Sequence, residues 1–290
     1  MKPEASCTVV GIAGSGTMGR GIALAALTAG LEVWLYDNRP EATEEASRYI
    51  KEKINTWAQR RQLASEHVLQ VVQALHVVDS LEHLKGQFVI EAIVEDLAAK
   101  QQLFQRLAAH CDPSVIFCTN TSSIPVMRIA EGVPHPQRVV GMHFFNPADR
   151  ITLVEVVATS MADPRTVDRV VELAQRMGKV PIRVKDVPGF VVNRIGKMYH
   201  TEPLYLLENQ VAEVADVDDL LEAAGFRMGP FRLIDLIGVD ANLNVTRSLF
   251  QQLGEERFRP SALQEQMVLQ GRLGRKAAKG FYDYSDKKNI

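Results

Sequence analysis

The chain has 290 residues, a formal net charge of −2 and 46% apolar residues. That length accommodates one large domain or two smaller ones, and the apolar fraction supplies cores rather than disorder. The near-neutral balance argues against a nucleic-acid binder driven by phosphate attraction, and no stretch has the apolar length of a membrane span.

Three cysteines, Cys7, Cys111 and Cys118, are widely spaced, odd in number and form no CxxC pair. This pattern argues against a disulfide framework or a metal site and for a reducing, cytoplasmic setting. The opening MKPEASC leads directly into a strand-like run, so no signal peptide is expected. The short apolar run GIALAALTAG (21–30) is read as a buried helix.

In chain order, TVVGIAG (8–14) predicts a buried strand that ends in glycine, and TMGRGIALAALTAG (17–30) predicts a helix of small residues. EVWLYD (32–37) is a second strand. The segment from Asp37 to about Val77 is too long for one crossover helix. EATEEASRYIKEKINTWAQRR and SEHVLQVVQAL predict an inserted helical hairpin at about 41–75. FVIEAIV (88–94), VIFCTN (115–120) and VVGMHFF (139–145) are further strands. KQQLFQRLAAHC (100–111) places Leu103, Phe104, Leu107 and Ala108 on one helical face. Strands alternating with helices predict an α/β fold, a Rossmann-type doubly wound and mostly parallel sheet. Near KDVPGF (185–190) the strand patterns fade. VNRIGKMYHTEPLYLLENQ, DVDDLLEAAG and NLNVTRSLFQQLG all read as helices. The expected division is residues 1–186, a nucleotide-binding domain, and 187–290, an all-helical domain. The apolar helices of the second part make a dimer interface plausible.

GSGTMG (14–19) is a GxGxxG with a strand before it, a helix after it and Asp37 at the end of the next strand. Gly14 permits the tight turn, Gly16 lets backbone approach a pyrophosphate, and Gly19 allows close helix–strand packing. Gly14, Gly16, Thr17, Met18 and Gly19 are therefore expected to line a dinucleotide site. Asp37, 18 residues after Gly19, suits the ribose hydroxyls and favours NAD over NADP; Arg39 nearby softens that preference. A glycine turn with a capping aspartate is the structural alternative.

In an open parallel sheet, ligands sit beyond the carboxyl ends of the strands. Asp37, Asn120 and His143 fall at or near predicted strand ends, and Ser122 follows directly after one. His143 interrupts VVGMHFF, and Glu155 interrupts LVEVV. Polar residues in such runs are costly to bury without partners. NPADR (146–150) is rich in turn formers. A hairpin centred on Asp149 pairs 143 with 155, because 143 + 155 = 2 × 149, and opposed residues share a face. The carboxylate would then fix the imidazole tautomer and raise its basicity for proton abstraction. The alternative is a satisfied core histidine beside an edge glutamate.

The blocks GSGTMGRGIA, FVIEAIVED, TNTSS, GMHFFNP, LVEVV, DVPGFVVNR, RMGPFRLID and GRKAAKGFYDY, in this order, resemble L-3-hydroxyacyl-CoA dehydrogenases over nearly the whole chain. The resemblance implies NAD as cofactor, an acyl-CoA as substrate and a homodimer. It implies His143 as catalytic base, Glu155 as its orienting carboxylate, Ser122 as a substrate contact and Asn193 near the substrate carbonyl. It also implies cofactor contacts at Asp37, Glu95, Lys100, Asn120, Asn146 and Lys276. Plain structural readings stand beside these. Ser122 caps a turn or yields its role to Ser123, and Asn193 caps a helix. Glu95 and Lys100 form an exposed pair, and Lys276 is a solvated tail lysine. The family's CoA-contacting helix falls on the inserted hairpin, where Lys51, Lys53, Arg60 and Arg61 lie; of these Lys53 and Arg60 are the candidate phosphate contacts, against a merely solvated charged face.

Many family members follow HFFNP with a second proline and a short apolar stretch, whereas this chain has ADRITLVE. Asp149 and Arg150 thus put the acyl specificity in question. The length leaves no room for an enoyl-CoA hydratase segment, so a monofunctional enzyme is expected. Two other readings remain open: a dehydrogenase of a free hydroxy acid or sugar acid without CoA, and a non-catalytic NAD-binding protein.

Overall fold

The computed structural model describes residues 8–285. Cys7 and the rest of the MKPEASC opening lie outside them. The chain forms two compact units, one running to Val187 and one starting at Pro188.

The first unit opens with strand β1 (Val9–Ala13), helix α1 (Thr17–Thr28) and strand β2 (Glu32–Tyr36). Helices α2 (Pro40–Arg61) and α3 (Ser65–Gln73) form the inserted hairpin and lead into β3 (Leu75–Val78). Then follow β4 (Phe88–Glu91), α4 (Leu97–His110), β5 (Ile116–Thr119), α5 (Val126–Glu131) and β6 (Val139–Phe144). The unit closes with β7 (Leu153–Ala158), α6 (Pro164–Arg176) and β8 (Val180–Lys185). The eight strands make one sheet in the order β3-β2-β1-β4-β5-β6-β7-β8. All neighbours are parallel except β6 and β7. The order reverses between β1 and β4, the place where a doubly wound sheet opens a ligand crevice beyond its carboxyl edge.

Two strands of this unit, β3 and β8, and two helices, α5 and α6, escape the sequence reading. β3 is a short edge strand with little burial, so its alternation is faint. β8 contains Pro181, which speaks against a strand in general but is tolerated at a sheet edge, where one row of donors is unpaired anyway. α6 carries an apolar stripe of Val167, Val170, Leu173 and Ala174. β4 ends at Glu91, short of the expected 94, because the chain turns there and the Ile93 amide bonds the Glu91 carboxylate at 2.8 Å.

The core of this unit is built from aliphatic residues of the central strands, α1 and α2, including Ile12, Ile22, Leu27, Val33, Leu35, Ile50, Ile54, Ile90 and Val140. Small residues let α1 lie close to its neighbours: Gly21 faces Ala148, where a Cβ would come within 3.2 Å of the alanine's own Cβ.

The second unit contains α7 (Val192–Gly196), α8 (Met198–Glu208), α9 (Val214–Ala223), α10 (Pro230–Ile237), α11 (Val239–Leu253) and α12 (Ala262–Leu269). Leu204, Val217, Phe231, Ile234, Val239 and Met267 make its apolar centre. Two buried carboxylates tie the GFYDY tail to it. Asp235 accepts the Phe281 and Tyr282 amides at 2.9 and 3.0 Å, and Asp218 accepts the Tyr282 hydroxyl at 2.8 Å. A Cβ on Gly280 would collide with the Asp235 carboxylate.

A second polar cluster lies between α8, α11 and α12. The buried Lys197 ammonium donates to the Asn242 carbonyl at 2.7 Å, and His200 Nδ1 pairs with Asn242 Nδ2 at 2.8 Å. Burial, reinforced by the Lys197 charge, depresses the His200 pKa to about 3. The unfolded chain therefore takes up a proton on this histidine as pH falls below its ordinary value of 6.5, and the folded chain does not. Stability from this group is complete above that value and is lost as pH falls toward the folded pKa. Replacing His200→Asn should flatten part of the decline in melting temperature between neutral and mildly acidic pH, by about 1 kcal/mol one unit below the unfolded pKa. Thermal melts of both proteins across that range check this.

Candidate active site

The glycine loop lies between β1 and α1. Gly14 has φ +103°, a conformation that L side chains rarely adopt. A Cβ on Gly19 would collide with the Gly14 carbonyl, whereas one on Gly16 would project into open space. Gly16 is the N-cap of α1 and offers no side-chain cap, so the amides at the start of this helix, at Thr17 and Met18, are available to an anion. Gly14, Gly16, Thr17, Met18, Asp37, Arg39 and the Ala92–Val94 segment line a cavity of about 690 Å³. A dinucleotide fits this cradle: uncapped helix amides and a missing side chain suit its diphosphate, and the acidic residue across the crevice suits hydroxyls of a ribose.

Asp37 Oδ2 accepts the Ser15 amide at 2.8 Å and its hydroxyl at 3.0 Å, and Oδ1 accepts the Arg39 amide at 3.1 Å. These bonds fix the carboxylate at the cavity wall. The Arg39 guanidinium is 3.7 Å away and mostly in solvent, where a single ion pair is worth little.

His143 and Glu155 oppose each other directly in the β6–β7 ladder. His143 Nδ1 lies 2.8 Å from Glu155 Oε2. Glu155 is wholly buried and His143 is 5% exposed. The connecting turn begins with a cis Asn146–Pro147 bond. Its backbone is gripped by Lys179, whose ammonium donates to the Ala148 and Ile151 carbonyls at 2.6 and 2.9 Å. Within the turn Asp149 is mostly covered, while Arg150 projects into solvent 3.9 Å from it. Asn120, after β5, accepts the Phe144 amide at 2.9 Å and so braces the strand that holds His143.

Glu95 and Lys100 do pair, but only Glu95 is exposed as the plain reading of the sequence has it. Lys100 is 1% exposed, and its Nζ lies 2.6 Å from Glu91 Oε1 and 3.2 Å from Glu95 Oε2. Glu95 Oε1 accepts the Thr121 hydroxyl at 2.6 Å, the Ser122 amide at 2.9 Å and the Ser123 amide and hydroxyl at 3.1 and 3.0 Å. Burial works against ionisation of Glu95, but the Lys100 charge and these donors outweigh it and hold its carboxyl below the usual range. Sequence reasoning missed Glu91, which sits inside an apolar run like the one that exposed His143. It also missed Asp186, whose carboxylate accepts the Val126 and Met127 amides at 3.0 and 2.7 Å at the start of α5.

On the inserted hairpin, Lys53 lies 5.3 Å from the Tyr49 ring centre and Arg20 of α1 lies 4.2 Å from it. Arg60 and Lys51 are exposed on α2. In the second unit, Asn193 is on α7 and Lys276 pairs with Asp240 at 2.6 Å.

Residues 9–187 match the family model described as 3-hydroxyacyl-CoA dehydrogenase, NAD binding domain, and residues 189–284 match the C-terminal domain of the same family. The chain is 42% identical over 278 residues to the 3-hydroxyadipyl-CoA dehydrogenase of Escherichia coli K12, covering 95% of this chain but 58% of that relative's length. It is 38% identical over 278 residues to a Bacillus subtilis protein named "Probable 3-hydroxybutyryl-CoA dehydrogenase", covering 95% of this chain and 97% of the relative. The crystal structure of (S)-3-hydroxybutyryl-CoA dehydrogenase from Ralstonia eutropha superposes with a TM-score of 0.92 at 32% identity, over 97% of this chain and 100% of the other. The glycine cradle, the doubly wound sheet and matches across both units place this chain in the 3-hydroxyacyl-CoA dehydrogenase family, with an NAD-binding first domain.

Proposed function

We propose that this chain interconverts an L-3-hydroxyacyl-CoA and its 3-ketoacyl-CoA, with His143 as general base and Glu155 as its orienting carboxylate. The observation that carries this reading is the 2.8 Å contact between His143 Nδ1 and Glu155 Oε2, buried in a sheet whose carboxyl edge also holds the dinucleotide cradle. NAD, when bound, supplies the hydride acceptor. The protein's part is to take the hydroxyl proton and to hold the reacting carbon in place.

An alcohol is a weak acid, so its proton needs a positioned base as hydride leaves the same carbon. Glu155 holds Nδ1, which directs Nε2 to the substrate hydroxyl and stabilises the imidazolium that forms. In the reverse direction the same imidazolium returns the proton to the 3-keto oxygen. Ser122 and Asn193 hold the hydroxyl and the thioester carbonyl. Asp37, Glu95, Lys100, Asn120, Asn146 and Lys276 serve the cofactor, and Lys53 and Arg60 serve the CoA phosphates. A homodimer assembled through the second unit is supported by its many exposed large apolar side chains, Ile195, Val211, Leu220 and Leu269 among them. Light scattering on the purified protein should then give twice the chain mass.

The first test follows NADH oxidation with acetoacetyl-CoA beside free acetoacetate. Turnover with the thioester alone is expected; equal turnover with both would overturn CoA dependence and favour a free-acid dehydrogenase. His143→Gln should lower kcat by at least about a hundredfold with NADH binding retained, as expected for loss of a general acid–base group. Full activity in that variant would remove the proposed base. Asp37→Ala should move the ratio of kcat/KM for NADH over NADPH by about tenfold toward NADPH, because it removes the carboxylate that repels a 2′-phosphate. An unchanged ratio would place the ribose elsewhere.

A further inference from the structure

We propose that Glu91 is a positioning residue for this site: through Lys100 and Glu95 it sets the Thr121–Ser123 loop that carries Ser122. The inference rests on the dehydrogenase reading for the role given to Ser122, but the geometry of the relay is independent of it.

Glu91 is the last residue of β4 and is wholly buried. Its Oε1 contacts Lys100 Nζ at 2.6 Å and accepts the Ile93 amide at 2.8 Å, and its Oε2 accepts the Thr119 hydroxyl at 2.6 Å. Thr119 is its ladder partner at the end of β5. A continuous relay therefore runs from Thr119 through Glu91 and Lys100 to Glu95, and from Glu95 into three successive loop residues. It joins the ends of two neighbouring strands to the loop beyond them.

Fold stability does not account for this arrangement. A buried ion pair contributes little net stability over apolar residues of the same volume, and here two carboxylates share one ammonium. What the relay does supply is direction. A lysine stem has many rotamers, and the Glu91 carboxylate selects the one that brings Nζ within 3.2 Å of Glu95 Oε2. Glu95 thereby has one oxygen held by Lys100 and the other turned to the loop, where it collects the donors of Thr121, Ser122 and Ser123. Without Glu91, Lys100 would have Glu95 as its one carboxylate among the described residues. The ammonium would draw that carboxylate toward itself and away from the loop amides.

Two variants of the full-length protein test this: E91Q, and E91D, which keeps a charge beside Lys100 and so guards against misfolding of the first while shortening the carboxylate's reach. Backbone amide hydrogen exchange is read at Ser122 and Ser123, with Ile12 and Leu35 of the central strands as controls. Steady-state kinetics with NADH and acetoacetyl-CoA are measured on the same samples. The expected result is exchange about tenfold or more faster at Ser122 and Ser123 with the control amides unchanged, the size expected for losing a charge-assisted hydrogen bond. The kinetic counterpart is a fall in kcat of about tenfold. Unchanged exchange at Ser122 and Ser123, or an equal rise at all four amides, would overturn the proposal and leave Glu91 a purely structural residue. If the unaltered protein is silent with acetoacetyl-CoA, the proposed reaction fails, while the exchange data still decide whether Glu91 orders the loop.

Discussion

A carboxylate taken out of water without a partner costs several kcal/mol, and Glu155 is wholly buried within a strand. Its partner is His143, directly across the one antiparallel ladder of the sheet. Much of the local architecture serves that meeting. The turn between β6 and β7 must have the length that sets 143 against 155, since a slip of one residue would send every side chain of a strand to the other face. Lys179 holds the turn by its carbonyls, and Asn120 holds the strand through the Phe144 amide. A pair that is expensive to bury thus comes with a scaffold that fixes its register.

The carboxyl edge of the parallel strands concentrates the remaining chemistry. β1 delivers the glycine loop, β2 delivers Asp37, β4 delivers Glu91, and β5 delivers Asn120 and the serine loop. Parallel strands make this possible because all their carboxyl ends face one way and the crossover helices begin there with amides to offer. Glycine and charge divide the work. Gly14 and Gly19 let the backbone pack tightly at the strand-to-helix turn and Gly16 leaves open space beside it, while the Glu91–Lys100–Glu95 relay fills its own neighbourhood with mutually satisfied polar groups.

Much of this was legible in the sequence. The doubly wound sheet, the helical hairpin, the glycine roles and the 143–155 register follow from strand periodicity, turn chemistry and simple symmetry about Asp149. Other features were not. β3 and β8 lie at the sheet edges, where burial is one-sided and alternation weak, and Pro181 disguises the second of them. The enclosure of Lys100 was hidden because a lysine on a helix is usually solvated, and its partner Glu91 is nine residues back on another element. The same reasoning that singled out His143 and Glu155, a polar residue inside an apolar run, applies to Glu91 in FVIEAIV. Asp218 and Asp235 show the opposite case: they look like surface acids on helices, yet they are buried because backbone amides and tyrosine hydroxyls of distant segments satisfy them.

Lys179 donates its hydrogen bonds in the β6–β7 turn to main-chain oxygens, and the Asp149 charge nearby favours its ammonium form. Every residue type carries the same carbonyl, so these two hydrogen bonds do not depend on which side chains stand at 148 and 151. Arg150, which faces solvent, can therefore change while the strands on either side stay in register. The segment is a short, anchored stretch of chain next to the His143–Glu155 pair, and its solvent-facing position tolerates a new side chain without disturbing the pair itself.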